Sequence, residues 1–374
     1  TATSHRYSPR VSAISSTANV DDGHLLLPAF AEPHAHLDKA FLAERVENVT
    51  GDLLGAIEAM RVARPSITLA DTIERAERAA RLLAANGCTA IRSHVDLTLE
   101  GGLTSVEALL EVRRRLAGVV DIQVCALCAW PSVGPEGAAQ RALLQEAIAM
   151  GVDVVGGCPH LEPDPAAANE SFLAIAAEAG LPVDLHTDET LNAEMLALED
   201  LAERVVASGF PHPVAASHCV SLCLQTTARQ QEVAEKVAAA GISVIALPHT
   251  NLFLQGRDCP VAMPRGVTAV RALRAAGVNV AAGADNLQDP FNPVGRGDPL
   301  ETAALMVMTA HVLPADALHM ISGAARQAMG LPPTCDQVAV GAATVREAIA
   351  FGPPDRAIVR NGVTSETERS RDRR

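Results

Sequence analysis

Two histidines stand two residues apart in Phe30-Ala-Glu-Pro-His-Ala-His-Leu-Asp-Lys39, directly after the apolar run Leu25-Leu26-Leu27-Pro28-Ala29-Phe30. If that run is a strand, its period of two aims the imidazoles of His34 and His36 to the same side, where they can share a metal ion. Divalent metals need further imidazole or carboxylate ligands, and an open position when the site is catalytic. His-x-His also arises by chance in a chain with 12 histidines, so the remaining donors have to come from elsewhere.

Regular elements must carry such groups. From Gly23 onward, short apolar runs alternate with alanine-rich helical stretches, the pattern of βα units around a parallel sheet. Eight strands are predicted: Leu25–His36, Cys88–Asp96, Asp121–Cys128, Val152–His160, Pro182–Glu189, Pro213–Cys219, Ile242–Thr250 and Val278–Asn286. Helices are predicted between them, for example over Ser105–Leu116, Ala166–Ala179 and Thr226–Ala240. Several stop at a glycine suited to a left-handed cap, such as Gly180 and Gly209. The long first interval has room for two helices, near Leu53–Val62 and Leu69–Ala84.

This order favours an α/β fold, the TIM (β/α)8 barrel. A doubly wound open sheet calls for a glycine-rich phosphate loop where this chain has His-Ala-His. After the barrel, helices are expected over Pro299–Val312 and Ala315–Gly330, then short strands at Gln337–Gly341 and Ala357–Val363 around a helix at Thr344–Ala350. The expected organisation is an N-terminal segment 1–22, disordered or part of a reduced β-sandwich, a barrel over 23–330, strands of a small subdomain within 331–365, and a disordered charged tail 366–374.

Catalytic groups of such barrels project from the C-terminal strand ends. The predicted ends carry His34 and His36, His94 and Asp96, His160 with Glu162 beyond it, His186 with Asp188 and Glu189, His218, His249, and Asp285 with Asn286. Only His5, His24, His212, His311 and His319 fall elsewhere. His34, His36, His186 and Asp285 can form a nitrogen-rich site with one carboxylate, a composition suited to zinc, iron or a similar borderline metal. Glu189 lies three residues past His186, near enough to carry protons between an activated water and a substrate nitrogen.

With 48% hydrophobic and 20% charged residues among 374, the chain reads as globular. A formal charge of −14 argues against nucleic acid as a partner. No apolar run approaches a membrane span and no secretory signal precedes the barrel, so no membrane association and a cytoplasmic location are expected. The eight cysteines then read as free thiols, and the Cys125/Cys128 pair lacks the second pair of a structural zinc site. A homo-oligomer is compatible with this composition.

The segments Glu32-Pro-His-Ala-His-Leu-Asp38, Ser93-His-Val-Asp96, Pro159-His-Leu-Glu162, Asp184-Leu-His-Thr-Asp-Glu189, Ser217-His218, Leu254-Gln-Gly-Arg257 and Gly283-Ala-Asp-Asn-Leu-Gln-Asp-Pro-Phe-Asn-Pro-Val-Gly295 occur in that order. Together they resemble the amidohydrolase superfamily, and most closely its cytosine deaminase branch. The resemblance implies one divalent metal, zinc or iron, held by His34, His36, His186 and Asp285. It also implies Glu189 as proton shuttle to the ring nitrogen and His218 as the group that orients or deprotonates the attacking water. Binuclear relatives bridge their metals with a carboxylated lysine on the fourth strand. Neither Lys39 nor Lys236, the only lysines, lies there, which leaves Cys158 or Glu162 as the alternative bridges.

Two departures bear on the substrate. The glutamine that cytosine deaminases carry after the third strand is missing from Leu127-Cys128-Ala129-Trp130-Pro131-Ser132, and Asn286 stands where they have a second aspartate. An amide donates where a carboxylate only accepts. Their ring-covering tryptophan corresponds to Phe291. Candidate substrate contacts are therefore Trp130, His160, His249, Asn286 and Phe291, while Lys39 is expected to place a charge near the substrate or to pair with Asp38 or Glu32. Arg257 is expected to read a carbonyl or form a loop salt bridge. The expected activity is hydrolytic deamination of the ring amidine of a cytosine-like heterocycle. The alternatives are hydrolysis of an N-substituted amino-triazine or another cyclic amide, and a metal-binding relative without turnover.

Overall fold

The computed structural model describes residues 24–360, so the expectations for 1–22 and for the tail from 366 lie outside the described residues. Among them, eleven strands are ordered β1 (Leu25–Pro28), β2 (Phe30–Ala35), β3 (Cys88–Leu97), β4 (Asp121–Cys128), β5 (Val154–Gly157), β6 (Val183–Thr187), β7 (Val214–His218), β8 (Ser243–Ala246), β9 (Val280–Ala282), β10 (Gln337–Val340) and β11 (Arg356–Val359). Strands β2 to β9 form one parallel sheet in sequence order. It closes where Ala35 bridges Asp285 in parallel register, with Asp285 N–H donating to the His34 carbonyl at 3.0 Å and His36 N–H to the Asp285 carbonyl at 3.2 Å. This is a TIM barrel, and its closing seam runs through the His-x-His segment.

The helices in chain order are α1 (Leu53–Ala63), α2 (Leu69–Ala85), α3 (Thr104–Arg115), α4 (Ala138–Ala149), α5 (Pro165–Ala179), α6 (Ala197–Ser208), α7 (Thr227–Ala239), α8 (Pro248–Leu254), α9 (Val270–Ala275), α10 (Pro299–Thr309), α11 (Pro314–Met320), α12 (Gly323–Ala328) and α13 (Val345–Phe351). Their patterns explain why they form. In α2 the Thr68 side chain caps Asp71 N–H, and Thr72, Ala76, Ala79, Ala80 and Leu83 recur at three- and four-residue spacing to make the buried stripe. Helices α5 and α6 stop at Gly180 (φ 69°) and Gly209 (φ 61°), a left-handed turn that glycine takes without a Cβ clash. Leu109 of α3, Leu144 of α4, Leu185 of β6 and Leu201 of α6 are fully buried, each contributing about 1.5–3 kcal/mol relative to an exposed side chain.

The structure corrects the predicted elements at four places; one is the helix expected over Ala315–Gly330, which is two, α11 and α12, parted at Ser322, whose backbone (φ −130°, ψ −96°) is not helical. Leu25–His36 is two strands in different sheets: β1 pairs antiparallel with β10, and β2 enters the barrel. The break falls at Pro28-Ala29, where proline has no N–H to donate and Ala29 N–H turns instead to the Asp336 carbonyl at 3.0 Å. His249 and Thr250 belong to α8 rather than to a strand, because Pro248 starts a helix one turn early. Pro159 does the same for His160, which sits in a 3₁₀ turn over Pro159–Leu161. The small sheet has the order β1-β10-β11 and is tied to the barrel by Arg356, whose guanidinium grips both Asp298 carboxylate oxygens at 2.7 and 2.8 Å. No helix among the described residues is long and apolar enough to cross a membrane.

Candidate active site

β2, β6 and β9 bring four groups to one point. The Nε2 atoms of His34, His36 and His186 lie 3.2–3.3 Å from one another. Asp285 Oδ1 is 3.6 Å from His34 Nε2 and 3.3 Å from His36 Nε2. All four residues are buried. Three bare ring nitrogens and a carboxylate this close repel unless a cation lies among them, and neither Asp285 oxygen has a hydrogen-bond partner among the described residues. A tetrahedral ion with bonds of ~2.0–2.1 Å needs donor atoms about 3.4 Å apart, which is the spacing found. The donor set fits a divalent metal held by these four residues.

Burial, reinforced by the neighbouring histidines, pushes His34 and His186 well below the ordinary imidazole value, so both keep a nitrogen lone pair at neutral pH. Three residues beside the cluster have their backbones in the left-handed region: Asp188 (φ 53°), His218 (φ 68°) and Asp285 (φ 63°). This costs on the order of 1–2 kcal/mol each. It ends each strand abruptly.

Two further groups face the cluster. His218 Nδ1 is 2.9 Å from the Asn251 carbonyl oxygen, which can only accept, so the proton sits on Nδ1. Its Nε2 is then a free base, 4.0 Å from Asp285 Oδ2. Glu189 is buried with Oε1 3.6 Å from His218 Nδ1. Burial, with Asp285 adding to it, raises the Glu189 carboxyl well above its usual range. An acid held protonated beside an unprotonated base is the pairing that proton transfer at neutral pH requires.

Through His36, His186 and Asp285 the cluster opens onto a cavity of about 360 Å³ whose wall also includes Trp130, His160, Asn286 and Phe291. His160 Nδ1 donates to the His186 carbonyl at 3.0 Å, and burial pushes its pKa down to about 4. It is therefore neutral, with Nε2 free to accept. Asn286 is less available: its carbonyl accepts from Thr250 at 3.0 Å and its amide donates to Asp289 at 2.8 Å.

The amidohydrolase family model matches residues 42–343. A pterin deaminase from Rhizobium rhizogenes is 36% identical over 298 residues, covering 79% of this chain and 67% of that protein. Among solved structures, 5-methylcytosine deaminase from Klebsiella pneumoniae superposes with a TM-score of 0.83 at 31% identity, covering 91% of this chain and 86% of that one. N-isopropylammelide isopropylaminohydrolase from Burkholderia multivorans gives 0.75 at 31% identity, covering 90% and 85%. The chain belongs to the amidohydrolase family. It is a hydrolase of carbon–nitrogen bonds other than peptide bonds. The family match begins after His34 and His36, so those two ligand candidates stand on the geometry above.

Not every strand-end group of this amidohydrolase joins the cluster. His249 points to α10, where Nε2 meets Thr302 Oγ1 at 3.1 Å, and it is absent from the cavity wall. Its neighbour Thr250 lines the cavity instead. Glu162 takes the Ser132 N–H at 2.7 Å and hydroxyl at 2.5 Å on the same oxygen, Oε1, and so secures the loop after β4, while Oε2 has no hydrogen-bond partner among the described residues. Lys39 pairs with Asp96 at 2.5 Å, with Asp38 at 4.0 Å, and not with Glu32. Arg64 takes the other Asp96 oxygen at 2.7 Å. Arg257 forms no salt bridge among the described residues; it donates to the Phe253 carbonyl at 2.7 Å. His94 stacks on His34 with centroids 3.9 Å apart, and its Nε2 faces Asp184 at 3.5 Å. Cys125 and Cys128 are buried free thiols. Sequence reasoning missed Asn251 and Arg64; the one hint for Asn251 was an amide placed three residues after Pro248 on a short helix.

Proposed function

We propose that the chain catalyses hydrolytic deamination of the ring amidine of a cytosine-like heterocycle, with one divalent metal, zinc or iron, held by His34, His36, His186 and Asp285. The observation that carries this reading is the convergence of those four donors, three of which line one cavity together with a buried acid, Glu189, and an unprotonated base, His218. The bound metal supplies Lewis acidity that lowers the pKa of a water toward neutrality.

The chain's own groups do the rest. His218 Nε2, its other nitrogen anchored on Asn251, takes a proton from the attacking water, with Asp285 beside it. Glu189 delivers its proton to the ring nitrogen next to the carbon that bears the amino group, so that negative charge does not build up on the ring. The amino group then takes the proton held on His218 and leaves as ammonia, while the new hydroxyl returns a proton to Glu189 and its oxygen becomes the ring carbonyl. Phe291 and Trp130 offer faces against which the ring can stack, and His160 Nε2 can accept a ring N–H. Similarity to two proteins named as deaminases of heterocycles supports the reading.

Hydrolysis of an N-substituted amino-triazine is the second reading. The apolar side chains of Leu53, Ile57 and Met60 on the outer cavity wall favour it, since they offer a surface to an alkyl group on the leaving amine, and one structural relative carries that name. The two separate on a panel of amino-pyrimidines, pterin and N-alkyl triazines offered to the metal-reconstituted chain. Ammonia as product supports deamination, alkylamine supports the second reading, and the absence of either product sinks both.

A further inference from the structure

Below the cluster, a line of polar groups crosses the barrel interior that no step above uses. Arg92 of β3, Asp184 of β6 and Ser217 of β7 are all 0–1% exposed. Arg92 Nη1 donates to Asp184 Oδ2 at 2.7 Å. A guanidinium is always charged, so the carboxylate against it is ionised and can only accept. Ser217 Oγ donates its single proton to Asp184 Oδ1 at 3.0 Å, which leaves a hydroxyl lone pair toward His34 Nδ1 at 2.8 Å. The His34 proton must therefore sit on Nδ1. Its Nε2 lone pair then points at the cluster.

The other two imidazoles lack this support. Nδ1 of His36 and Nδ1 of His186 have no hydrogen-bond partner among the described residues. His34 is further held on one face by the His94 ring, 3.9 Å away and tilted by 25°.

Resting on the metal reading above, we propose that Ser217 and Asp184 are positioning residues that fix the tautomer and orientation of His34 and make it the anchoring ligand of the metal site, with Arg92 holding the carboxylate in place. Taking the Ser217 hydroxyl away removes the only acceptor that keeps the proton on Nδ1. The ring is then free to place a proton on Nε2, where it blocks the metal. Outer partners of ligating histidines typically tune affinity by 10–100-fold, and the same order is expected here.

The test uses the full chain stripped of metal and titrated with Zn(II) or Co(II) against a chelator. Ser217→Ala is expected to weaken binding of both ions by roughly 10- to 100-fold and to change the Co(II) d–d spectrum, while the metal-free chain stays folded with a lower thermal midpoint, because the two buried partners of the hydroxyl are left unpaired. Ser217→Thr, which keeps the hydroxyl, is expected to restore most of the affinity and the wild-type spectrum. Asp184→Asn is expected to weaken binding in the same sense, and Ser217→Ala carries the test if that variant does not fold. Wild-type affinity in Ser217→Ala overturns the inference, as does a weakened affinity that leaves the Co(II) spectrum unchanged or that Ser217→Thr does not restore. A wild-type chain that binds neither ion overturns the metal reading and this inference with it.

Discussion

Two strand-end acids on opposite halves of the barrel, Asp285 and Asp96, are treated in opposite ways. On the arc of β6, β7, β9 and β2, side chains converge with atoms left over: His36 Nδ1, His186 Nδ1, His218 Nε2 and both Asp285 oxygens have no partner among the described residues. On the arc of β3, β4 and β5, the acids at or beyond the strand ends are engaged by protein groups, although Glu162 Oε2, His160 Nε2 and both His94 nitrogens have no hydrogen-bond partner among the described residues. Asp96 is held between Lys39 and Arg64, and Glu162 is bonded twice to Ser132. A buried polar atom without a partner costs about 1–3 kcal/mol. A fold that leaves both oxygens of the buried Asp285 without a partner is arranged for something that arrives from outside. The Asp96 carboxylate, held by Lys39 and Arg64, belongs instead to the wall.

Substitutions on the two arcs should break apart in kind as well as in size. The largest effect is expected from His186→Ala, which removes one of three imidazoles and should leave the purified chain without bound metal and without turnover, checked by metal analysis alongside product release. Next, Glu189→Gln should lower kcat by about 10²–10⁴-fold while the metal content stays at the wild-type level. Retained activity would break the assignment of the acid.

On the opposite arc, Asp96→Ala leaves Lys39 and Arg64 facing each other without their shared carboxylate. It should destabilise the fold by about 3 kcal/mol, read as a lower denaturant midpoint, with metal still bound. Loss of metal from that variant would erase the distinction between the arcs. The smallest effect is expected from His249→Ala, whose side chain meets Thr302 away from the cavity. Its kcat and KM should stay within about twofold of wild type.

Much of this was legible in the chain. His34 and His36 follow an apolar run, and period-two geometry places both on one side of a strand whatever else the fold does. The alternation of apolar runs with capped helices was enough to order eight strands, because each signal is local. Partnership was not legible. Glu162 and Glu189 look alike as acids at or just beyond predicted strand ends, and only three-dimensional packing puts Ser132 beside one and an imidazole beside the other. His249 was misplaced for a local reason: Pro248 begins a helix where apolar content alone extends the strand. The first strand was read as one because the apolar pattern is continuous across Pro28, although its two halves answer to different sheets.

Ala29 alone separates β1 from β2. The small sheet therefore grips the chain just ahead of the strand that carries His34 and His36, and β1 is held there by β10. Local opening of that sheet and loosening of the ligand pair are thereby coupled events. If the proposed ion tightens β2, fraying of β1 from β10 becomes less favourable, and its occupancy is expected to be recorded as slower amide exchange in a sheet that holds none of the proposed ligands.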